Sequence, residues 1–168
     1  SKDFTVYALD MAGFGKTRAP THSYLQLVRL SEHVGQWCVE NDLERLPILG
    51  HSLGGEVALD VAARFPELVS HLILCAPTGI PENPSVRQQW VNLMKDGPLE
   101  RPSLILKSVR SYLKCGFTRI VAVARDQKRH LTGPLLERIK VPTLVILGAL
   151  DPVIRPYTAR VLEQSIPQ

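Results

Sequence analysis

Short apolar runs alternate with amphipathic stretches along this chain, and that alternation restricts its fold more than any other feature. The apolar runs, which are of strand length, occupy residues 5–9, 46–49, 69–75 and 141–147. The stretches between them repeat apolar residues at three- or four-residue intervals, which is typical of helices packed on a core. Strands that are apolar throughout are buried on both faces, as in parallel sheets. We therefore predict an α/β fold, with a parallel sheet that helices cover on both faces.

The helices of this sheet follow from the same spacing. The sequence predicts one helix over residues 24–40, with Ser23 as its N-cap, and a second that runs from residue 55 to Phe65, before Pro66. A further helix is predicted over residues 156–165, after the last strand. Each helix therefore follows an apolar run or a loop directly after one, as parallel strand connections require.

A segment rich in proline and glycine at residues 77–84 interrupts the alternation and marks a linker. Three helical patterns without a strand follow it, over residues 84–95, 102–114 and 117–129. We predict that residues 1–78 and 136–168 form the α/β core and that residues 79–135 form a helical insert.

Charge and composition exclude several classes of function. Twelve of the 20 Lys and Arg residues fall between residues 83 and 140, but they alternate with apolar residues at helical spacing and few aromatic residues accompany them. This pattern favours the solvated face of helices over a nucleic-acid surface. The three cysteines lie far apart without metal-ligand spacing, so we predict neither disulfides nor a metal.

Membrane insertion, targeting and nucleotide binding are not indicated either. The chain has no leader pattern and no apolar run of the ~20 residues that a membrane span needs. A cytoplasmic location is favoured, but the sequence does not determine the compartment, because we expect a signal peptide, if there is one, before these residues. Gly15-Lys16-Thr17 resembles the end of a phosphate-binding loop, but Asp10 stands where that loop needs a glycine. We therefore expect no cofactor; the sequence does not indicate the oligomeric state.

The residues that indicate chemistry are Gly50-His51-Ser52-Leu53-Gly54-Gly55, between a predicted strand and a predicted helix. A serine hydroxyl is a weak nucleophile unless a sharp turn presents it to a base and to oxyanion donors. We predict that Ser52 is such a nucleophile and that Gly50 and Gly54 are glycines because a Cβ would clash there. The Leu53 N–H, at the start of the next helix, would stabilise a developing negative charge.

On these residues the chain resembles the α/β-hydrolase superfamily, in particular serine hydrolases with a helical cap. Residues 7–15 are similar to the strand and loop before the first helix of that family, and residues 50–55 to its nucleophile turn. The family places its triad acid after a later strand in a Gly-x-x-Asp loop, which matches Gly148 to Asp151. The resemblance thus implies that Asp151 is the acid; a turn-forming role for Asp151 is the alternative. Asp10 is a minor candidate, because the family's acidic residue there is structural.

The resemblance also implies parts that this sequence does not contain. The family order is serine, acid, histidine, and we expect the base beyond residue 168, since no histidine follows Asp151. The second oxyanion donor is expected before Thr5. The five histidines present have surface or packing roles on this interpretation, with His130 as an outside candidate for a base. We therefore interpret the chain as a fragment of a longer hydrolase.

The resulting hypothesis is a serine hydrolase that cleaves an ester or related acyl bond of a small-molecule substrate through an acyl-enzyme. The insert would cap the site, and the candidate pocket residues are His51, Trp90, Met94 and Tyr112. A hydrolase-like protein that binds a ligand without turnover, or an inactive fragment, is the alternative.

Overall fold

The computed structural model describes residues 2–18, 25–81, 83–85, 87–88, 91–92, 103, 115–151 and 153–167. Three strands lie in these ranges: β1 (Leu46–His51), β2 (Val69–Cys75) and β3 (Thr143–Ile146). The helices are α1 (Leu27–Glu40), α2 (Leu53–Arg64), α3 (Phe117–Arg129), α4 (Gly133–Leu136) and α5 (Tyr157–Ser165), and a 3-10 turn covers Pro66–Leu68.

The strands form one parallel sheet in the order β1-β2-β3. In its register His51 pairs with Cys75, and Cys75 pairs with Ile146, so all three strands reach the same edge. Parallel strands of this kind need crossover connections, and α2 supplies the one between β1 and β2. The predicted α/β class and parallel sheet are confirmed, and the carboxyl ends of the strands share one edge of the molecule.

One face of the sheet carries the core. Leu72 and Leu74 on β2 are fully buried there, in one core cluster with Leu59 and Val61 of α2 and Leu162 of α5. Alternate residues of a strand point to opposite faces. The other face accordingly shows Leu49, Leu144 and Ile146, which are 46–65% exposed. Among the described residues, helices thus pack on one face of the sheet.

The predicted first strand, residues 5–9, is wrong: no strand forms there, and Phe4 and Val6 are 69% and 72% exposed. A strand requires a neighbour that pairs with its N–H and C=O groups, and no described strand pairs with this segment. It lies against α1 instead, where the Tyr7 and Trp37 rings meet edge to face with centroids 5.5 Å apart.

The remaining core elements agree with the sequence within a few residues, and β2 agrees in full. The start of α1 differs: its N-cap is Gln26, not Ser23, which lies outside the described residues. The Leu27 N–H donates instead to Asp126 Oδ2 of α3, at 2.6 Å. The long-range carboxylate therefore replaces the local cap that the sequence suggested.

The predicted insert is described only in part. Its third helical pattern is α3, whereas most of residues 82–114 lies outside the described ranges. The division into a core and an insert over residues 79–135 therefore stays a prediction. In the described helices, none is long and apolar enough to cross a membrane.

Candidate active site

Ser52 follows the last residue of β1 and has a backbone conformation that non-glycine residues rarely adopt, with φ 52° and ψ −120°. Such a conformation costs about 1–3 kcal/mol, and it persists only where the surroundings fix it. Here the Ser52 N–H donates to the Cys75 carbonyl at 3.0 Å. The Ser52 carbonyl accepts from the N–H groups of Gly55, Glu56 and Thr78, at 2.9–3.2 Å. Bonds on both sides of the residue thus hold the strained turn.

Two glycines permit this turn, but they are not the predicted pair. A Cβ at Gly50 would overlap the Gly54 carbonyl, so the prediction for Gly50 is confirmed. At Gly54 a Cβ would meet nothing within 4 Å, so the clash predicted there is wrong. The second tight position is Gly55, where a Cβ would lie 2.9 Å from the Cβ of Pro77. The helix start approaches the segment after β2 at Gly55, a contact between elements that the motif does not reveal.

The Leu53 N–H lies at the first position of α2. The first N–H groups of a helix have no partner within the helix and carry partial positive charge. Two donors further along the helix, on Gly55 and Glu56, are occupied by the Ser52 carbonyl. The Leu53 N–H donates to no backbone carbonyl among the described residues. It is therefore available to a ligand oxygen beside Ser52.

Asp151 lies beyond the end of β3 and is half-buried. Its Oδ1 accepts from the N–H groups of Val153 and Ile154, at 2.7 and 2.9 Å, and its own N–H donates to Gly148. The turn-forming role is therefore present. It uses one carboxylate oxygen and leaves Oδ2 outside these bonds. With β2 between β1 and β3, about 10 Å separates the two strands that precede Ser52 and Asp151.

None of the four described histidines forms a hydrogen bond or ion pair with Ser52. His33 and His51 are exposed, and His71 is also exposed, with Nδ1 3.2 Å from Ser70 Oγ. The His130 side chain is 8% exposed, and its Nε2 lies 3.3 Å from Asp60 Oδ1. The fifth, His22, lies outside the described residues, and so do three of the predicted pocket residues: Trp90, Met94 and Tyr112.

The other predicted candidates have structural contacts. Asp10 Oδ2 accepts from the Lys16 N–H at 2.9 Å and so closes the glycine loop.

Two cavities, of about 280 and 570 Å³, lie beside α1 and between β3 and α5, and neither is lined by Ser52 or Asp151. The three cysteines are free, and burial raises the pKa of Cys38. No cluster of three potential metal ligands occurs among the described residues.

Two carboxylates on α2, Glu56 and Asp60, are both 0% exposed and were not predicted from the sequence. Burial raises the pKa of Glu56, although hydrogen bonds from Gln127, Thr78 and Asn83 oppose that effect. In the sequence, the only signal for Glu56 and Asp60 is that each is an acidic residue at a core position of an apolar helix.

Asp60 is compensated differently. Burial alone would raise its pKa, but contacts with His130, Ser31 and Arg64 outweigh burial and hold that pKa below its usual value. Arg64 Nε lies 2.7 Å from Asp60 Oδ2, and the Ser31 hydroxyl donates to the same oxygen. Asp60 thus joins α1 to α2 and to the residue after α3.

Comparisons with known proteins agree with this architecture. The family model described as alpha/beta hydrolase fold matches residues 1–110. The 1-acylglycerol-3-phosphate O-acyltransferase ABHD5 of Rattus norvegicus is 38% identical over 142 residues, which cover 79% of this chain and 40% of the relative. The chain therefore spans about 40% of the length of that relative.

Solved structures show the same fold. A hydrolase from Oleispira antarctica superposes with a TM-score of 0.76 at 21% identity, over 93% of this chain and 67% of that one. A thermophilic esterase from Thermogutta terrifontis gives 0.72 at 20% identity, over 94% and 66%. Together with the matched family model and the strand–turn–helix at Ser52, these similarities show that the chain belongs to the α/β-hydrolase fold family.

Proposed function

We propose that the protein containing this chain hydrolyses an ester or related acyl bond of a small molecule, with Ser52 as the nucleophile. The observation that carries the proposal is the strained Ser52 backbone at the carboxyl edge of the sheet, held by bonds to Cys75 and Thr78. Strain of this kind is maintained where a side chain must be presented. Ligand sites of open α/β sheets also lie at this edge.

The proposed reaction begins when Ser52 Oγ attacks the acyl carbonyl carbon and gives its proton to a histidine base. The Leu53 N–H donates to the oxyanion of the tetrahedral intermediate. Collapse of the intermediate breaks the ester bond, and the histidine protonates the departing alcohol. Water then attacks the acyl-enzyme by the same route, which releases the acid and regenerates the Ser52 hydroxyl. No cofactor takes part in these steps.

Asp151 is the proposed partner of that histidine. Its Oδ2 is outside the turn formed by Oδ1, so one carboxylate could both shape the loop and accept from an imidazole N–H. The base itself is proposed to lie outside the described residues, because none of the described histidines contacts Ser52. The nucleophile is a serine, which favours acyl chemistry over reactions that need a carboxylate nucleophile.

Acyl transfer to an alcohol is a second candidate. The relative of Rattus norvegicus is named for O-acylation of 1-acylglycerol-3-phosphate, and it is 38% identical over 79% of this chain. The first half of the reaction would be unchanged. In the second half, an acceptor hydroxyl would replace water and form a new ester. Both reactions require the same acyl-enzyme on Ser52.

The test is hydrolysis of p-nitrophenyl acetate by the full-length protein, followed as release of p-nitrophenol. We expect Ser52→Ala to reduce kcat by about 1,000-fold or more. The control is Ser70→Ala, because Ser70 is the described serine whose hydroxyl lies beside a histidine, His71. It should keep wild-type activity. Equal rates in wild type and Ser52→Ala would contradict the proposal and favour a ligand-binding protein.

Product analysis separates the two candidates. The full-length protein is supplied with an acyl donor in the presence and absence of 1-acylglycerol-3-phosphate. Free fatty acid as the dominant product in both cases supports hydrolysis. A diacylated glycerophosphate that forms in wild type and not in Ser52→Ala supports acyl transfer.

A further inference from the structure

The Glu56 carboxylate lies fully buried on α2, four residues after Ser52, and accepts hydrogen bonds from neutral groups only. Oε2 accepts from Thr78 Oγ1 and Gln127 Nε2, both at 2.8 Å. Oε1 accepts from Asn83 Nδ2 at 2.9 Å, and Thr132 Oγ1 lies at 3.5 Å. All four partners come from the part of the chain between β2 and β3. Glu56 thus links these separate segments to the start of α2 by hydrogen bonds.

Thr78 connects this cluster to the nucleophile. Its hydroxyl donates to Glu56 Oε2, while its backbone N–H donates to the Ser52 carbonyl at 3.2 Å. The Glu56 N–H donates to the same carbonyl, also at 3.2 Å. Glu56 therefore contacts Ser52 directly through its backbone and, through its carboxylate, fixes a second donor to the same oxygen.

The surroundings of the carboxylate are closely packed. Gly79 has φ 83°, and a Cβ there would lie 2.5 Å from Glu56 Oε1 and 2.8 Å from Thr132 Oγ1. Gln127 Nε2 also lies 3.0 Å from Thr78 Oγ1, so the donors are linked to one another. Each Glu56 oxygen has partners, and no space remains for a side chain at residue 79.

A buried carboxylate whose hydrogen-bond donors are all neutral is costly, and an apolar side chain of similar volume at this position would cost less. Departures of this kind from local rules occur where function requires them. We infer that Glu56 is a positioning residue for Ser52, because its carboxylate holds Thr78 against the Ser52 carbonyl and so maintains the turn that presents the hydroxyl. This inference rests on the proposed function of Ser52.

Asp60 provides a matched control. It is buried to the same extent on the same helix, but its partners are Ser31, Arg64 and His130. None of these residues is bonded to the turn at Ser52 in the described part of the chain. Asp60→Asn should therefore lower stability and leave the turn intact.

The experiment compares Glu56→Gln with Asp60→Asn in the full-length protein. The amide of Glu56→Gln has nearly the same shape but presents N–H groups to partners that are donors. We expect Glu56→Gln to slow fluorophosphonate labelling of Ser52, and to lower kcat for p-nitrophenyl acetate, by about tenfold or more. KM for this small substrate should change by less than about threefold. Asp60→Asn should label within about threefold of wild type.

Hydrogen exchange provides a readout that does not need Ser52 to react. Peptides that contain Thr78 and residues 53–56 should exchange faster in Glu56→Gln than in Asp60→Asn. If wild type fails to label, the proposed function fails, and the exchange result still decides whether Glu56 holds the turn. If Glu56→Gln does not fold, Thr78→Val decides: it removes one donor and should slow labelling by about threefold. Labelling and exchange equal to those of Asp60→Asn would overturn the inference.

Discussion

Ser52 and Asp151 both follow parallel strands at the same edge of the sheet, but the structure holds them in different ways. The Ser52 turn is fixed by hydrogen bonds to distant residues, Cys75 and Thr78. It also requires a glycine at residue 50, because a Cβ there would overlap the Gly54 carbonyl. Asp151 is fixed by bonds to Val153 and Ile154, within three residues of itself.

Because of this difference, we expect changes at the two sites to have different effects on stability and on activity. A change in the Ser52 turn disturbs contacts between elements and should affect both folding and activity. A change at Asp151 disturbs a local loop and should affect activity far more than global stability. The following variants test that distinction, from the largest expected effect to the smallest, in full-length protein.

Asp151→Asn is expected to have the largest effect. The Asn oxygen still accepts from the Val153 and Ile154 N–H groups, so the loop is retained while the charge that would stabilise an imidazolium is lost. We expect kcat for p-nitrophenyl acetate to fall by about 1,000-fold, with urea unfolding unchanged. If kcat stays near that of wild type, Asp151 serves only to form the turn.

Gly50→Ala should destabilise the fold. Its Cβ would overlap the Gly54 carbonyl, which is backbone at the start of α2 and cannot rotate away. We expect the free energy of unfolding in urea to fall by about 3 kcal/mol. The matched control is Gly148→Ala in the acid loop, where the nearest atom to the new Cβ is 3.3 Å away. A Gly50→Ala protein as stable as this control would contradict the difference between the two regions.

Asp151→Ala tests how much the hydrogen bonds that Asp151 accepts within its own loop contribute to stability. It removes the acceptor of the Val153 and Ile154 N–H groups, which Asp151→Asn retains. We expect about 1 kcal/mol less stability than for Asp151→Asn, measured by the same urea titration. A loss as large as that of Gly50→Ala would show that the acid loop also supports the fold.

Gly54→Ala should have the smallest effect. No atom lies within 4 Å of the new Cβ, and alanine favours the helix that begins at Leu53. We expect stability to change by less than about 1 kcal/mol, in the direction of greater stability. A marked loss of stability would instead support the clash at Gly54 that the sequence motif predicted.

The sequence predicted those elements whose signals are local. β2 was predicted in full, because an apolar run between a proline turn and Ala76-Pro77 has clear ends. The Ser52 turn was also predicted, because the strand, the glycine-rich motif and the helix are adjacent in the chain. Residues 5–9 have an equally apolar pattern, but a strand depends on a neighbour that periodicity cannot reveal.

The part of the site that was missed depends on distant contacts. Glu56 is one of several acidic residues in the sequence, and nothing local distinguishes it. Its partners are 22 to 76 residues away, at Thr78, Asn83, Gln127 and Thr132. The same holds for Gly55, whose close neighbour is Pro77. Such contacts emerge only when the segments between β2 and β3 are packed on α2.

The central claim is that the strained turn presents Ser52 as a nucleophile. The most direct measurement is mass spectrometry of the full-length protein after reaction with a fluorophosphonate, with digestion to locate the adduct. The account predicts one phosphonate on the peptide that contains Ser52 and none in Ser52→Ala. An unmodified Ser52 peptide, or an adduct on another serine such as Ser70, would contradict it.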